Sequence, residues 1–387
     1  MRVSGSLTVI ALAALAAAVP LRAQQTTPAV PQNPVHVQPG QLAPQKPPKL
    51  PQQEKPLRVR VNVVRLPVTV RGPHGELALD LGPEDFQVYD NHNLQHILHF
   101  DVGGDPISAV LVVETSDRVA PLLPAVRKTG IIFTQSVMGG NGEGSIITFG
   151  DKAHLDVPFT FDRDKIDKAV SDLKPGGDGS HLYDALAQAV QMLEEQPDNR
   201  RRVIVAVSES TDTGSLAKLG SVLRDAQLAN ISIYTVGLST TAAQMRSAPS
   251  QYSAPSIGPP GTFSHPGYPG VPQTPTTMSQ QAGNINLLAL VETLVKMGVN
   301  LVSPEALAAA SAATGGDHIK TFHDRSIQEA MTRVGTELHA EYTLAYEAPK
   351  GPPGYHTITV KVTRPGYTVR TRPGYFLAPP GGSTGGP

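Results

Sequence analysis

The sequence contains no cysteine and no tryptophan, and aromatic residues make up only 5% of it. Without cysteine there is no disulfide, no zinc thiolate centre, no thiol nucleophile and no acylated N-terminal cysteine. A basic excess is also missing: 32 lysines and arginines stand against 33 acids, for a formal net charge of −1. A nucleic-acid surface shows as a basic stripe or surplus, so no nucleic-acid partner is expected. No G-x-S-x-G, H-E-x-x-H or phosphate-loop pattern occurs, which leaves no motif-level case for an enzyme. Glycine and proline are abundant instead, 36 of each, and forecast long irregular stretches between regular elements.

Across 387 residues a hydrophobic content of 40% can fill more than one core. Arg2, an apolar run from Leu7 to Val19 and the small Ala23 have the layout of a secretory signal peptide over residues 1–23. The chain is therefore expected to be secreted or periplasmic, with no membrane span once the leader is removed, because no later run is long and apolar enough. Residues 24–56 are a proline and glutamine tract without apolar periodicity, read as a disordered spacer. Residues 57–104 hold short alternating runs, VRVNVVRLPVTV, FQVYD and LQHILHF, an N-terminal β segment that cannot bury a face alone.

From 105 to 335 apolar strand runs alternate with helical patterns. Ile107 to Val113, Ser145 to Gly150, Arg201 to Ser208 and Ile231 to Leu238 read as strands; Pro121 to Val137, Arg163 to Leu173, Tyr183 to Glu195 and Leu216 to Ala229 read as helices. Continuous buried strands with helical crossovers predict an α/β fold with a doubly wound, mainly parallel sheet of the Rossmann-like kind. About 240–284 is an insertion too poor in periodic apolar residues to pack, read as disordered. Residues 336–378 return to alternating β runs, expected to pair with 57–104 in a small β-sandwich or sheet, and 379–387 form a glycine-rich tail.

Ligands of open α/β sheets sit outside the carboxyl ends of the strands. Three polar clusters fall there: Glu114, Thr115, Ser116, Asp117 and Arg118 after the first strand, Asp178, Ser180 and His181 in GGDGSHLYDAL, and Glu209 and Asp212 in VSESTDTGS. The order of these clusters resembles the von Willebrand factor type A (VWA) domain with its metal-ion-dependent adhesion site. More narrowly, LPVTV, EDFQVYD, ELHAEYTLAY and RPGYFLAP resemble the VWA-related family abundant in Acidobacteria, over about residues 58–378.

That resemblance implies protein interaction or adhesion at the cell envelope, and a metal site at Glu114, Ser116, Ser180 and Glu209. The sequence departs from the pattern there. Glutamates replace the first and last aspartates, Ser180 replaces a threonine, and Arg118 stands where a second serine would ligate. An arginine has no acceptor to offer a cation. Three arrangements stay open: Arg118 takes the place of the ion beside Glu114 or Glu209, or Arg118 and the acids are merely solvated charge, or a magnesium site is retained. No cofactor is otherwise expected, and Asp117, Arg118, Asp178, His181 and Asp212 are the expected partner-binding rim. A structural component with an inert VWA unit is the rival reading.

Other candidates are weaker. His92, His96 and His99 fall on strand-like runs, where alternation places His96 and His99 on opposite faces. The glycine loop at 139–145 precedes a strand, so it lacks the helix start a dinucleotide needs. Ser180, His181 and Asp184 evoke a hydrolase triad, but sequence neighbours rarely meet as nucleophile and base.

Overall fold

The computed structural model describes residues 63–209, 211–239, 287–298, 305–322, 324–349 and 354–377. The expected leader, spacer, tail and the insertion at about 240–284 lie outside the described residues. The chain enters through β1 (Val63–Arg71), β2 (Phe86–Asp90), β3 (Asn93–Gln95) and β4 (His99–Val102), and then builds a larger sheet.

The centre of that sheet is β5 (Ile107–Glu114), whose eight residues are all buried. A strand covered on both faces needs apolar side chains at every step. Ala109, Leu111 and Val113 fill the core on one face, and Val110 and Val112 the core on the other. β6 (Glu143–Phe149) and β8 (Arg201–Ser208) flank β5 in parallel. Beyond β8 lie β9 (Ile231–Gly237) and the short β10 (His318–Lys320), also parallel; β7 (Ala153–Thr160) closes the opposite edge antiparallel to β6. The order β10-β9-β8-β5-β6-β7 makes β5 the point from which the chain winds both ways.

The stretch expected as one helix over Pro121 to Val137 is a broken run. A 3-10 turn at Ala120–Leu122 leads into α1 (Leu123–Val126), a second 3-10 turn, α2 (Gly130–Ile132) and a π-turn at Phe133–Val137. Pro121 and Pro124 remove backbone donors from the first turns. At Gly130 a Cβ would stand 3.1 Å from Val170 Cβ and 3.3 Å from Asp167 Cα, so the backbone touches the next helix where only glycine fits comfortably.

That next helix is α3 (Arg163–Ser171), started by Asp162, whose side chain accepts from the Lys165 amide at 3.1 Å. α4 (Leu182–Glu194), α5 (Leu219–Leu228), α6 (Leu287–Met297) and α7 (Ala306–Thr314) cover the Val112 face of the sheet, and α3 joins α8 (Asp324–His339) on the Leu111 face. The result is the doubly wound α/β layer expected from the alternation. Among the described residues no helix is long and apolar enough to cross a membrane.

The last four strands are β11 (Tyr342–Glu347), β12 (Gly354–Val362), β13 (Thr368–Arg370) and β14 (Gly374–Leu377). They interleave with the first four in two sheets, β13-β1-β11-β4 and β14-β12-β2-β3. Leu66, Val68, Phe86, Val88, Tyr342 and Leu344 share the core between them. The N- and C-terminal β segments thus form one β-sandwich, in which each supplies the layer the other lacks.

Between sandwich and α/β layer, Glu341 is fully buried and pairs with Arg201. Burial pushes its pKa up to about 7, against the pull of the Arg201 charge. An unfolded glutamate loses its proton near 4.5. From about that pH to about 7 the folded chain therefore holds a proton that the unfolded chain has lost, and stability falls as pH rises, by up to about 3 kcal/mol. Urea melts of the wild type and Glu341→Gln at pH 5 and pH 7.5 should show the wild type losing ground by that amount. Parallel pH dependence in the two proteins would exclude this titration.

Candidate functional site

The end of β5, the end of β8 and the loop before α4 meet at one rim of the central sheet. β5 and β8 are paired neighbours in register, so Glu114 and Ser208 emerge side by side. The loop at 175–181 is tied to the end of β5 by its backbone: Gly176 donates to Thr115 O at 2.7 Å and Asp117 donates to Gly177 O at 2.8 Å. It is tied to the turn after β8 by Ser180 and Thr213, which exchange a backbone bond at 2.8 Å and an amide to hydroxyl bond at 3.0 Å. Three segments far apart in sequence are thereby held in one place.

Glu114 is the hub. It is fully buried, and both carboxylate oxygens are engaged. Oε1 accepts from the Ser116 hydroxyl at 2.6 Å; Oε2 accepts from the Ser208 hydroxyl at 2.8 Å and from the Glu209 amide at 2.7 Å. Arg118 Nη2 lies 3.8 Å from Glu114 Oε1, and Arg118 Nε lies 3.8 Å from Glu209 Oε2. Those two nitrogens are buried and make no hydrogen bond, although the side chain as a whole is 37% exposed. The guanidinium is thus an ion-pair partner of both acids, close but outside hydrogen-bond reach.

At this donor set a small divalent ion would have to share its space with a guanidinium. Magnesium needs near-octahedral oxygen ligands at short range. Here Glu114 already accepts three hydrogen bonds, and a permanent cation stands beside both acids. Among the described residues no group of three or more His, Asp or Glu side chains is placed to hold a metal. Ser180 Oγ, fully buried, meets no hydrogen-bond partner among the described residues.

The other rim residues divide by role. Asp117 and Asp178 are exposed. Asp212 turns inward, where its Oδ1 accepts from the Tyr183 amide at 3.2 Å and the Ser215 hydroxyl at 2.5 Å. It serves the first turn of α4, whose free amides favour an anion. His181 Nδ1 lies 3.3 Å from Asp184 Oδ2, and that carboxylate also accepts from the Leu216 and Ala217 amides. With Asp184 so committed and no bond between Ser180 and His181, the three do not form a relay. His92 sits in the β2 to β3 turn with a positive φ of 69°, away from His99 on β4.

Sequence reasoning missed Ser208, which shares the Glu114 carboxylate, and Asp151, whose Oδ1 takes the Gly179 amide at 2.6 Å and anchors the loop. Ser208 ends an apolar strand and reads as an ordinary terminus. Asp151 follows Gly150 and reads as a turn residue.

Residues 109–211 match a family described as von Willebrand factor type A domain. Among solved structures the chain is similar to an aerotolerance-related membrane protein from Bacteroides fragilis NCTC 9343, at 13% identity over 60% of this chain and 98% of that one, with a TM-score of 0.38. It is similar to the conserved hypothetical protein BatB from Bacteroides thetaiotaomicron, at 14% identity over 60% and 98%, with a TM-score of 0.38. It is also similar to the SpRpn10 VWA domain, at 19% identity over 38% and 83%, with a TM-score of 0.27. No curated protein matches it significantly.

Proposed function

Because residues 109–211 carry a von Willebrand factor type A domain, we propose that this is an exported, non-enzymatic protein that binds a protein partner through the rim of that domain, without a metal ion. The single observation behind the metal-free part is the position of Arg118, 3.8 Å from Glu114 and 3.8 Å from Glu209. A guanidinium at this distance offsets the charge of both acids through space, as a bound cation would. A merely solvated arginine would keep its nitrogens in water; Nε and Nη2 are buried. Export rests on Arg2, the apolar run and Ala23, and sequencing of the protein recovered from an envelope fraction should begin at Gln24.

Calorimetry with magnesium and manganese chloride tests the reading. The wild type should give no stoichiometric binding. Arg118→Ser removes the cation and adds a hydroxyl between two acids, so magnesium at about ten times its dissociation constant should raise the variant's melting temperature by about 3 °C and leave the wild type unmoved. Tight one-to-one binding by the wild type, abolished in Ser116→Ala, would sink the metal-free reading.

A further inference from the structure

A second concave site lies at the other pole of the sheet, at the amino ends of β8 and β9. It is a cavity of about 360 Å³ between those strand starts and the outer face of β1. Val64 and Leu66 of β1 point into the sandwich core, so Arg65 between them points the other way, toward the cavity. Four arginines line it: Arg65, Arg200, Arg201 and Arg202. Three have an acid within ion-pair distance, Arg200 with Glu143 at 3.1 Å, Arg201 with Glu341, and Arg202 with Asp198 at 2.9 Å. Arg65, half-buried, has no acid within ion-pair distance among the described residues.

Several polar groups around it have donors to spare. Arg202 Nε is buried and makes no hydrogen bond. Ser232, 7% exposed at the start of β9, lines the cavity with a hydroxyl that bonds to nothing described. Asn230, held at a positive φ of 54°, has its Oδ1 taken by Arg372 at 3.0 Å, which leaves its amide NH2 to donate. A guanidinium free of acids, beside a serine hydroxyl and an exposed side-chain amide, is a donor set that oxyanions select. Asp105 also lines the cavity, with no ion-pair partner among the described residues, so an occupant bearing a hydroxyl satisfies both signs.

We propose that this cavity binds a small hydroxylated organic anion, a carboxylate or phosphate whose charged head meets Arg65 and Ser232. The volume matches a small-molecule site and exceeds what one inorganic ion fills. Such a ligand bridges β1 of the sandwich to β8 and β9 of the α/β layer, and therefore stabilises the folded chain.

Thermal unfolding and calorimetry of the full chain with sodium citrate, sodium phosphate and sodium chloride at equal ionic strength test it. Citrate should bind one to one, more tightly than phosphate, and at a hundred times its dissociation constant raise the melting temperature by about 5 °C over the chloride control. Arg65→Ala, which breaks no ion pair, should melt like the wild type without ligand and bind citrate at least tenfold more weakly. Ser232→Ala should weaken binding severalfold. Equal effects of all three salts, a preference for phosphate over citrate, or unchanged citrate binding in both variants would overturn the proposal.

Discussion

Glu114→Ala is expected to remove about 3–5 kcal/mol of folding stability, measured as a lower urea midpoint at unchanged m-value. The carboxylate is fully buried, accepts three hydrogen bonds and faces the Arg118 guanidinium. Truncation leaves the Ser116 and Ser208 hydroxyls, the Glu209 amide and a cation without their acceptor. Each buried group so stranded costs about 1–3 kcal/mol, although the costs do not simply add. Glu114→Gln separates charge from shape. Its carbonyl can take the Oε2 position, where two donors converge, and its amide can turn to Ser116, whose hydroxyl rotates to accept. The guanidinium then loses an ionic partner, so a cost of about 1–2 kcal/mol is expected. A loss under about 1 kcal/mol in the alanine variant would mean that the carboxylate is not the hub of the rim.

The distances explain why part of this rim was legible in sequence and part was not. Glu114 to Arg118 announced itself because a buried apolar run cannot end in two acids, two hydroxyls and an arginine without a use for them. The i to i+4 relation of Glu114 and Arg118 then made their pairing a short-range inference. Ser208 reaches the same carboxylate from 94 positions away, and nothing local distinguishes it from any serine at a strand end. Asp212 had the opposite fate: its motif position suggested a ligand-facing acid, whereas the free amides at the start of α4 hold it inward.

The fold shows a similar division. β5, β6, β8 and β9 stood out because burial on both faces demands unbroken apolar runs. β7 did not, since as an edge strand it is only partly buried, alternates irregularly and contains Pro158. The pairing of chain ends was inferable from the missing layer in each β segment. Its weave, with β1 between β11 and β13 and β12 beside β2, depends on registers between residues roughly 260 to 300 positions apart.

Asp90→Ala should be comparably severe, about 3–5 kcal/mol, and should act on the sandwich without touching the rim. Asp90 ends β2 and is 1% exposed. Its Oδ2 accepts from the Tyr346 hydroxyl at 2.8 Å and the Tyr375 hydroxyl at 2.8 Å, and its Oδ1 lies 2.7 Å from His356 Nδ1. Those partners come from β11, β14 and β12, so one carboxylate joins both sheets. Burial raises the pKa of both tyrosines, which keeps their hydroxyls protonated as donors across the working pH range. Removing the acceptor strands two phenol hydroxyls and an imidazole in the buried core. Asp90→Asn retains one carbonyl oxygen, enough for the tyrosines if the amide turns its nitrogen toward His356, and should recover about half the loss. Differential hydrogen exchange supplies the spatial check: Asp90→Ala should raise amide exchange in β2, β11, β12 and β14 well above that in β5 and β8. Uniform acceleration through β5 and β8 would instead mean that sandwich and α/β layer unfold as a single unit.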